Sequence, residues 1–317
     1  MVLGIVFAVI VSILFAVYAV PRKFSTQNVI LYTMWMGIAY FVGTVVLIAI
    51  LWGLEIKEPE DLLNPWHLLT VLRGFIWLLG MVAYNLAIDK IGLIRFNQWK
   101  NVQGPVGSLL ILFILTDVVG IKILWLVLGM TVMLASALMF QITTEEEKEN
   151  LTASYKNTTT GIALAFFCGV CFGVAALLNS VVTRPDIVGD TFTYSQLLYH
   201  SASLVIFSII VYVMLGEKFS ETSSVRQRLK DIFQVDKKTW LPVIAGGLFL
   251  LATLLTIHSY RLIPNSVAWS IMQLNVFWTV LIGLFIFKEI NCKQHWLRLA
   301  SGILMAGVAC VFLFFAI

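Results

Sequence analysis

Apolar residues run along the chain in ten blocks of membrane length, broken by short polar segments with turn chemistry. The blocks cover residues 2–20, 29–52, 66–88, 93–115, 121–141, 159–182, 192–215, 240–260, 265–287 and 296–316. A bilayer span needs about 20 mostly apolar residues, and in hydrocarbon only a helix satisfies its backbone internally, so each block predicts a transmembrane helix. The separators are Pro21-Arg22-Lys23, Glu55 to Asp61, Thr143 to Asn157, Arg184-Pro185-Asp186 and Glu217 to Lys238. The first block, Val2 to Val20, lacks a basic leader and a small-residue cleavage site, and predicts a retained helix.

Two sets of blocks match each other. At an offset of 157, Gly4-Ile5, Ala8, Phe15, Val17 and Ala19 meet Gly161-Ile162, Ala165, Phe172, Val174 and Ala176. At an offset of 174, Trp66, Phe75, Asn101, Val102, Val106 and Phe113 meet Trp240, Phe249, Asn275, Val276, Val280 and Phe287. Asp117 and Gly129 correspond to Glu289 and Gly302. The expected fold is an all-α polytopic membrane protein, its ten helices forming a 5+5 inverted repeat. Residues 1–141 make the first half, 142–158 a polar acidic connection and 159–317 the second half. Five helices per half is an odd number, so the halves enter the membrane from opposite sides. Such repeats place a substrate site near the midplane.

Composition agrees: the 317 residues are 60% hydrophobic and 12% charged, with a mean hydropathy of +0.94. Soluble domains have about 45–50% apolar and about 25% charged residues. Of the 21 Lys and Arg, 14 fall on the side reached after the first helix and 4 on the other, with Arg73, Arg95 and Lys100 inside spans. The positive-inside rule then places that first side in the cytoplasm, in a cell membrane, and both termini outside. The net charge of +4 sits at helix ends and gives no reason to expect nucleic acid. The sequons at Asn150 and Asn157 fall in a connection that is cytoplasmic on this reading. Cys168-x-x-Cys171 lies within an apolar helix, with no His or carboxylate near it in sequence, and reads as packing.

Polar groups at membrane depth are costly, so their positions point to function. Asn97, Lys100, Asn101, Gly104 and Ser108 share about 100° of the fourth helix. Arg73, Trp77, Gly80 and Tyr84 share a face of the third helix. Gln196, Tyr199, His200 and Ser203 share one of the seventh, and Ser266, Trp269, Ser270, Gln273 and Phe277 one of the ninth. Amides, indoles and hydroxyls both hydrogen-bond and stack on a sugar ring. They also serve as interhelical glue and interfacial anchors. The candidate substrate-binding residues are Trp77, Asn97, Lys100, Asn101, Trp269, Ser270 and Gln273. His200, Tyr199 and Gln196 are candidates for proton handling or gating. No Asp or Glu lies inside a span, so a carboxylate relay has no carrier there. The histidines at 67, 200, 258 and 295 lack metal-ligand spacing. No enzyme, metal or cofactor is expected.

Several short motifs add a family likeness. Ser270-Ile271-Met272-Gln273, then Gly283, Lys288-Glu289 and Gly302, resembles the second half of the drug/metabolite transporter superfamily. Gly92-Leu93-Ile94-Arg95, the acidic Thr144 to Glu149 run and Val20-Pro21-Arg22-Lys23 make the glucose/ribose porters, the bacterial glucose uptake proteins, the most similar group. The resemblance implies ten helices as five plus five and uptake of a monosaccharide, in some members with a proton. The chain departs from that pattern at Asn97 to Gln103, which introduces Lys100. A buried lysine also suits an exporter or exchanger of an anionic metabolite such as a sugar phosphate or nucleotide sugar.

Overall fold

The computed structural model describes residues 1–92, 96, 99–115, 122–139, 155–188, 194–215, 225–235, 239–287 and 292–316. Among the candidates above, Asn97 and Arg95 lie outside these residues, as do Asp117, Lys288, Glu289 and the acidic run from Thr144 to Glu149. The described elements are all helical. They are α1 (Val2–Val17), α2 (Val20–Phe24), α3 (Val29–Gly53), α4 (His67–Ile91), α5 (Gln103–Ile114), α6 (Ile123–Met139), α7 (Tyr155–Val182), α8 (Pro185–Val188), α9 (Ser195–Leu215), α10 (Val225–Phe233), α11 (Trp240–Leu262), α12 (Asn265–Met272), α13 (Asn275–Phe285) and α14 (Cys292–Phe315). Among the described residues eight stretches are long and apolar enough to cross a membrane, with α1 and α2 forming one and α12 and α13 another. The shorter apolar helices α5 and α6 stand where the fourth and fifth spans are expected. Large apolar side chains such as Leu68, Phe113 and Leu304 project outward, as lipid contact requires.

Two of the expected continuous spans are broken. After Trp99-Lys100 the chain turns at Asn101-Val102 before α5 begins. Pro105 accounts for this break: it has no N–H to give the Asn101 carbonyl, and its ring would clash there. The Gly104 N–H takes that carbonyl instead, at 3.0 Å, in a tighter three-residue turn. The second break lies between α12 and α13, at Gln273-Leu274. There the side-chain Nε2 of Gln273 donates to the Trp269 carbonyl (3.0 Å), the partner its own backbone N–H would take in an α-helix. That N–H bonds Ser270 instead, at 3.1 Å.

Packing is mainly between distant helices. α4 lies on α7 and α11 on α1; α5 lies on α7, and α12 and α13 on α1. α3 pairs with α9, and α6 with α14. Close approach depends on glycine at matched places. A Cβ on Gly4 would meet Leu262 and Ile263, and one on Gly161 would meet Lys90 and Ile91.

The connections hold the helix ends. On one side of the fold, Glu60 accepts from the backbone N–H groups of Tyr194 and Ser195 and from the Ser195 hydroxyl, all at 2.7–2.9 Å. A carboxylate there satisfies donors that the first turn of α9 leaves open. On the other side, the amphipathic α10, which the sequence pattern hides within a polar separator, places Ile232 against Ile30, Met34 and Tyr212. Arg22 on that side pairs with Asp89 and donates to the Gln27 carbonyl at 2.9 Å. Glu60→Ala is expected to speed hydrogen exchange at Tyr194 and Ser195 by about fivefold, the effect of about 1 kcal/mol of lost capping. Unchanged protection of those two amides would show that the clasp contributes nothing.

Candidate functional site

The two broken helices meet. Gln103 Nε2 donates to Gln273 Oε1 at 2.8 Å, and Trp269 Nε1 donates to the Gln103 carbonyl at 3.0 Å. One turn further along, the Ser108 and Ser270 hydroxyls lie 2.8 Å apart, and Ser270 Oγ donates to the Ser266 carbonyl at 2.9 Å. Gly104 lies against the Gln273 side chain and Gly107 against the Trp269 indole. A larger residue at either glycine would push the helices apart and break the bridge. Trp269, Ser270 and Gln273 are therefore brought together, with Gln103 and Ser108 as partners.

Two cavities flank the bridge. One is bounded by Asn101, Gly104, Ser270 and Gln273 and by Met130 and Met133 of α6. Asn101 is buried there, its Oδ1 without a hydrogen-bond partner. The other is lined by Phe15, Arg73, Trp77, Ala175, Ala176, Asn179, Phe249, Thr253, Thr256 and Trp269. Every one of these residues is at least nine-tenths buried. Several polar atoms at this cavity lack a partner: Arg73 Nη1, Trp77 Nε1 and Asn179 Oδ1. Arg73, near enough to the end of its helix to snorkel in principle, instead turns inward and is 3% exposed.

An aromatic ladder joins this cavity to its neighbours. Trp77 stacks on Phe172 with centroids 4.2 Å apart and meets Phe249 at 5.1 Å. Phe249 meets Tyr40 edge-on at 5.2 Å, and the Tyr40 hydroxyl lies 3.2 Å from His200 Nδ1. His200 is fully buried and its Nε2 has no partner. At the far end of the ladder Tyr84 meets Phe96 at 4.4 Å, and Lys100 Nζ sits over both rings at 5.6 and 5.8 Å. Lys100 is thus buried against aromatic faces, which stabilise a cation in place of water. Gln196 is buried on α9. Tyr199 stands apart: it stacks on His67 at 3.9 Å and donates to the Leu62 carbonyl, beside the Glu60 clasp.

Sequence reasoning did not single out Gln103, Asn179, Thr253 or Thr256 as site residues. No group of three or more His, Cys, Asp or Glu that could hold a metal occurs among the described residues.

This architecture, with apolar helices around a buried polar centre, defines an integral membrane protein. Residues 197–316 match the sequence profile of a family described as "Sugar transport protein", Sugar_transport. The matched stretch holds α12, α13 and most of α9, hence His200, Trp269, Ser270 and Gln273. The matched family is one of transporters and not of enzymes, and the match covers well under half of the chain. No protein of curated function matches the chain in sequence.

Proposed function

We propose that the chain carries a monosaccharide-sized, hydroxylated solute by alternating access, with ten spans in two inverted halves, 1–141 and 159–317. The observation that carries this reading is the pair of helix breaks, Asn101-Val102 and Gln273-Leu274, joined by the Gln103–Gln273 bridge beside the cavity of Trp77 and Trp269. Discontinuous helices at matched positions of two halves are where transporters of this construction hold solute. The packing supports the repeat. The α4–α7 contact has its counterpart in α11–α1, with Gly161 and Gly4 at equivalent points, while α3–α9 and α6–α14 each map onto themselves.

In this reading Trp77, Trp269 and Phe249 stack on the ring, while Asn179, Thr253, Thr256 and the Gln103–Gln273 amides take its hydroxyls. Because the cavity is narrow and its walls are buried, solute enters only when helices part. The side carrying α10 and Arg22 is cytoplasmic on the charge bias, and the Glu60 side faces outward. Any proton coupling would pass through His200, as no carboxylate lies inside a span.

Counterflow in proteoliposomes tests the proposal, because it needs no coupling gradient. Vesicles preloaded with unlabelled glucose, ribose or a sugar acid are expected to accumulate the matching labelled solute transiently. Folded protein that accumulates none of them would remove the sugar-transport reading.

A further inference from the structure

The charge inside the bundle is one-signed. Arg73 and Lys100 are both buried, at 3% and 2% exposure, and no Asp or Glu among the described residues is buried with them. Lys100 has the Tyr84 and Phe96 rings. Arg22, also buried, has Asp89, and Arg228 makes interactions of its own. Arg73 differs from all three. It lies about 9 Å along α4 from His67 at 1.5 Å per residue; among the described residues it has neither an ion pair nor an aromatic face, and Nη1 has no hydrogen-bond partner. An ion held without a counter-charge in a low-dielectric interior is strongly destabilising. Ionisable groups that persist at membrane depth mark solute pathways.

The surroundings of Arg73 specify what would compensate it. Trp77 Nε1, a donor only, is buried at the same cavity without a partner. A guanidinium and an indole N–H together are donors in search of an acceptor. Asn179 Oδ1, an acceptor without a partner, and the Thr253 and Thr256 hydroxyls, whose protons go to the Phe249 and Ala252 carbonyls, face the same space and can accept from hydroxyls of the solute. We infer that the transported solute carries a carboxylate, received by Arg73 and Trp77, on a hydroxylated body that lies between Trp77, Trp269 and Phe249. A sugar acid has this chemistry. One guanidinium, with no second cation among the described residues lining the cavity, matches a monoanion better than a dianionic phosphate, which recruits several cations. This rests on the proposed sugar-transport reading and narrows it to an anionic substrate class.

The test is tryptophan fluorescence of the full chain in detergent, since Trp77 and Trp269 both line the cavity, titrated with glucuronate, gluconate, glucose and glucose 6-phosphate. Counterflow with the same four solutes follows. The two acids are expected to bind about ten- to one-hundredfold more tightly than glucose, the effect of a charged hydrogen-bond pair. Arg73→Gln removes that preference, bringing the ratio of acid to glucose affinity to near one, and Arg73→Lys keeps part of it. Wild-type protein that binds glucose as well as either acid overturns the inference, whatever the variants do. So does a preference that survives in Arg73→Gln, and so does a sugar phosphate that outcompetes both acids. Glucose counterflow without acid preference removes the inference and leaves the transport reading standing. Silence with all four solutes removes both.

Discussion

Gln273→Leu is expected to lower sugar exchange in proteoliposomes at least tenfold and to lower thermal stability as well. The leucine strands two buried groups at once: Gln103 Nε2 loses its acceptor, and the Trp269 carbonyl loses its side-chain donor. A buried polar group left unsatisfied costs about 1–3 kcal/mol, while hydrogen bonds between membrane helices measured pairwise average about 0.6 kcal/mol. The stability loss should therefore fall near 1 kcal/mol. The loss of exchange is larger because Gln273 also holds the break at which the two interrupted helices meet. A Gln103→Leu, Gln273→Leu double variant removes both amide partners together and should recover part of the stability, the Trp269 carbonyl still lacking its side-chain donor, but not the transport. A single variant that exchanges sugar at the wild-type rate would place the bridge outside the transport cycle.

The second large effect separates two neighbouring glycines of α11. A Cβ on Gly246 would run into the Met36 carbonyl oxygen and come within 2.8 Å of Ala39 Cβ, whereas one on Gly247 would meet nothing within 4 Å. The obstacle at Gly246 is backbone of α3, which cannot rotate away as a side chain would. Gly246→Ala thus forces α3 and α11 apart, at a cost of about 1–3 kcal/mol for overpacking. Gly247→Ala gains helix propensity worth up to about 1 kcal/mol. Thermal unfolding in detergent should show a clear drop for the first variant and no drop for the second. Equal drops would mean that the close α3–α11 approach is not a feature of the folded protein.

The long helices were legible because hydrocarbon leaves the backbone no alternative, so apolar run length alone bounded α3, α4, α7, α9 and α11 to within a few residues. The breaks were not, although their causes were in view. Pro105 sits four residues after Asn101, and Gln273 four after Trp269. Each competes for one backbone carbonyl, an effect that run length does not register. Missing the first break also concealed Gln103. On a continuous helix Gln103 points about 120° from the centre of the Asn97–Ser108 face. A three-residue turn adds about 20° per residue, and that swings Gln103 toward Gln273. Asn179, Thr253 and Thr256 were hidden differently, since a single amide or hydroxyl on an apolar helix reads the same whether it bonds its own backbone or faces a cavity. The burial of Arg73 could not be read from its place in the chain, because a residue six positions into a helix can turn either way.

The two ends of the proposed cycle are held by contacts of different kinds. On the Glu60 side a carboxylate grips backbone N–H groups of Tyr194 and Ser195; on the α10 side Ile232 packs against Ile30 and Met34. Uncovering apolar surface raises heat capacity, and apolar contact weakens on cooling. Parting the α10 side therefore carries a heat-capacity increment from Ile232, whereas freeing the Glu60 carboxylate and its donors carries one of opposite sign, offset in part by the Tyr199–His67 stack beside them. Temperature alone then biases which way the carrier faces, with cold favouring the form that opens beside α10.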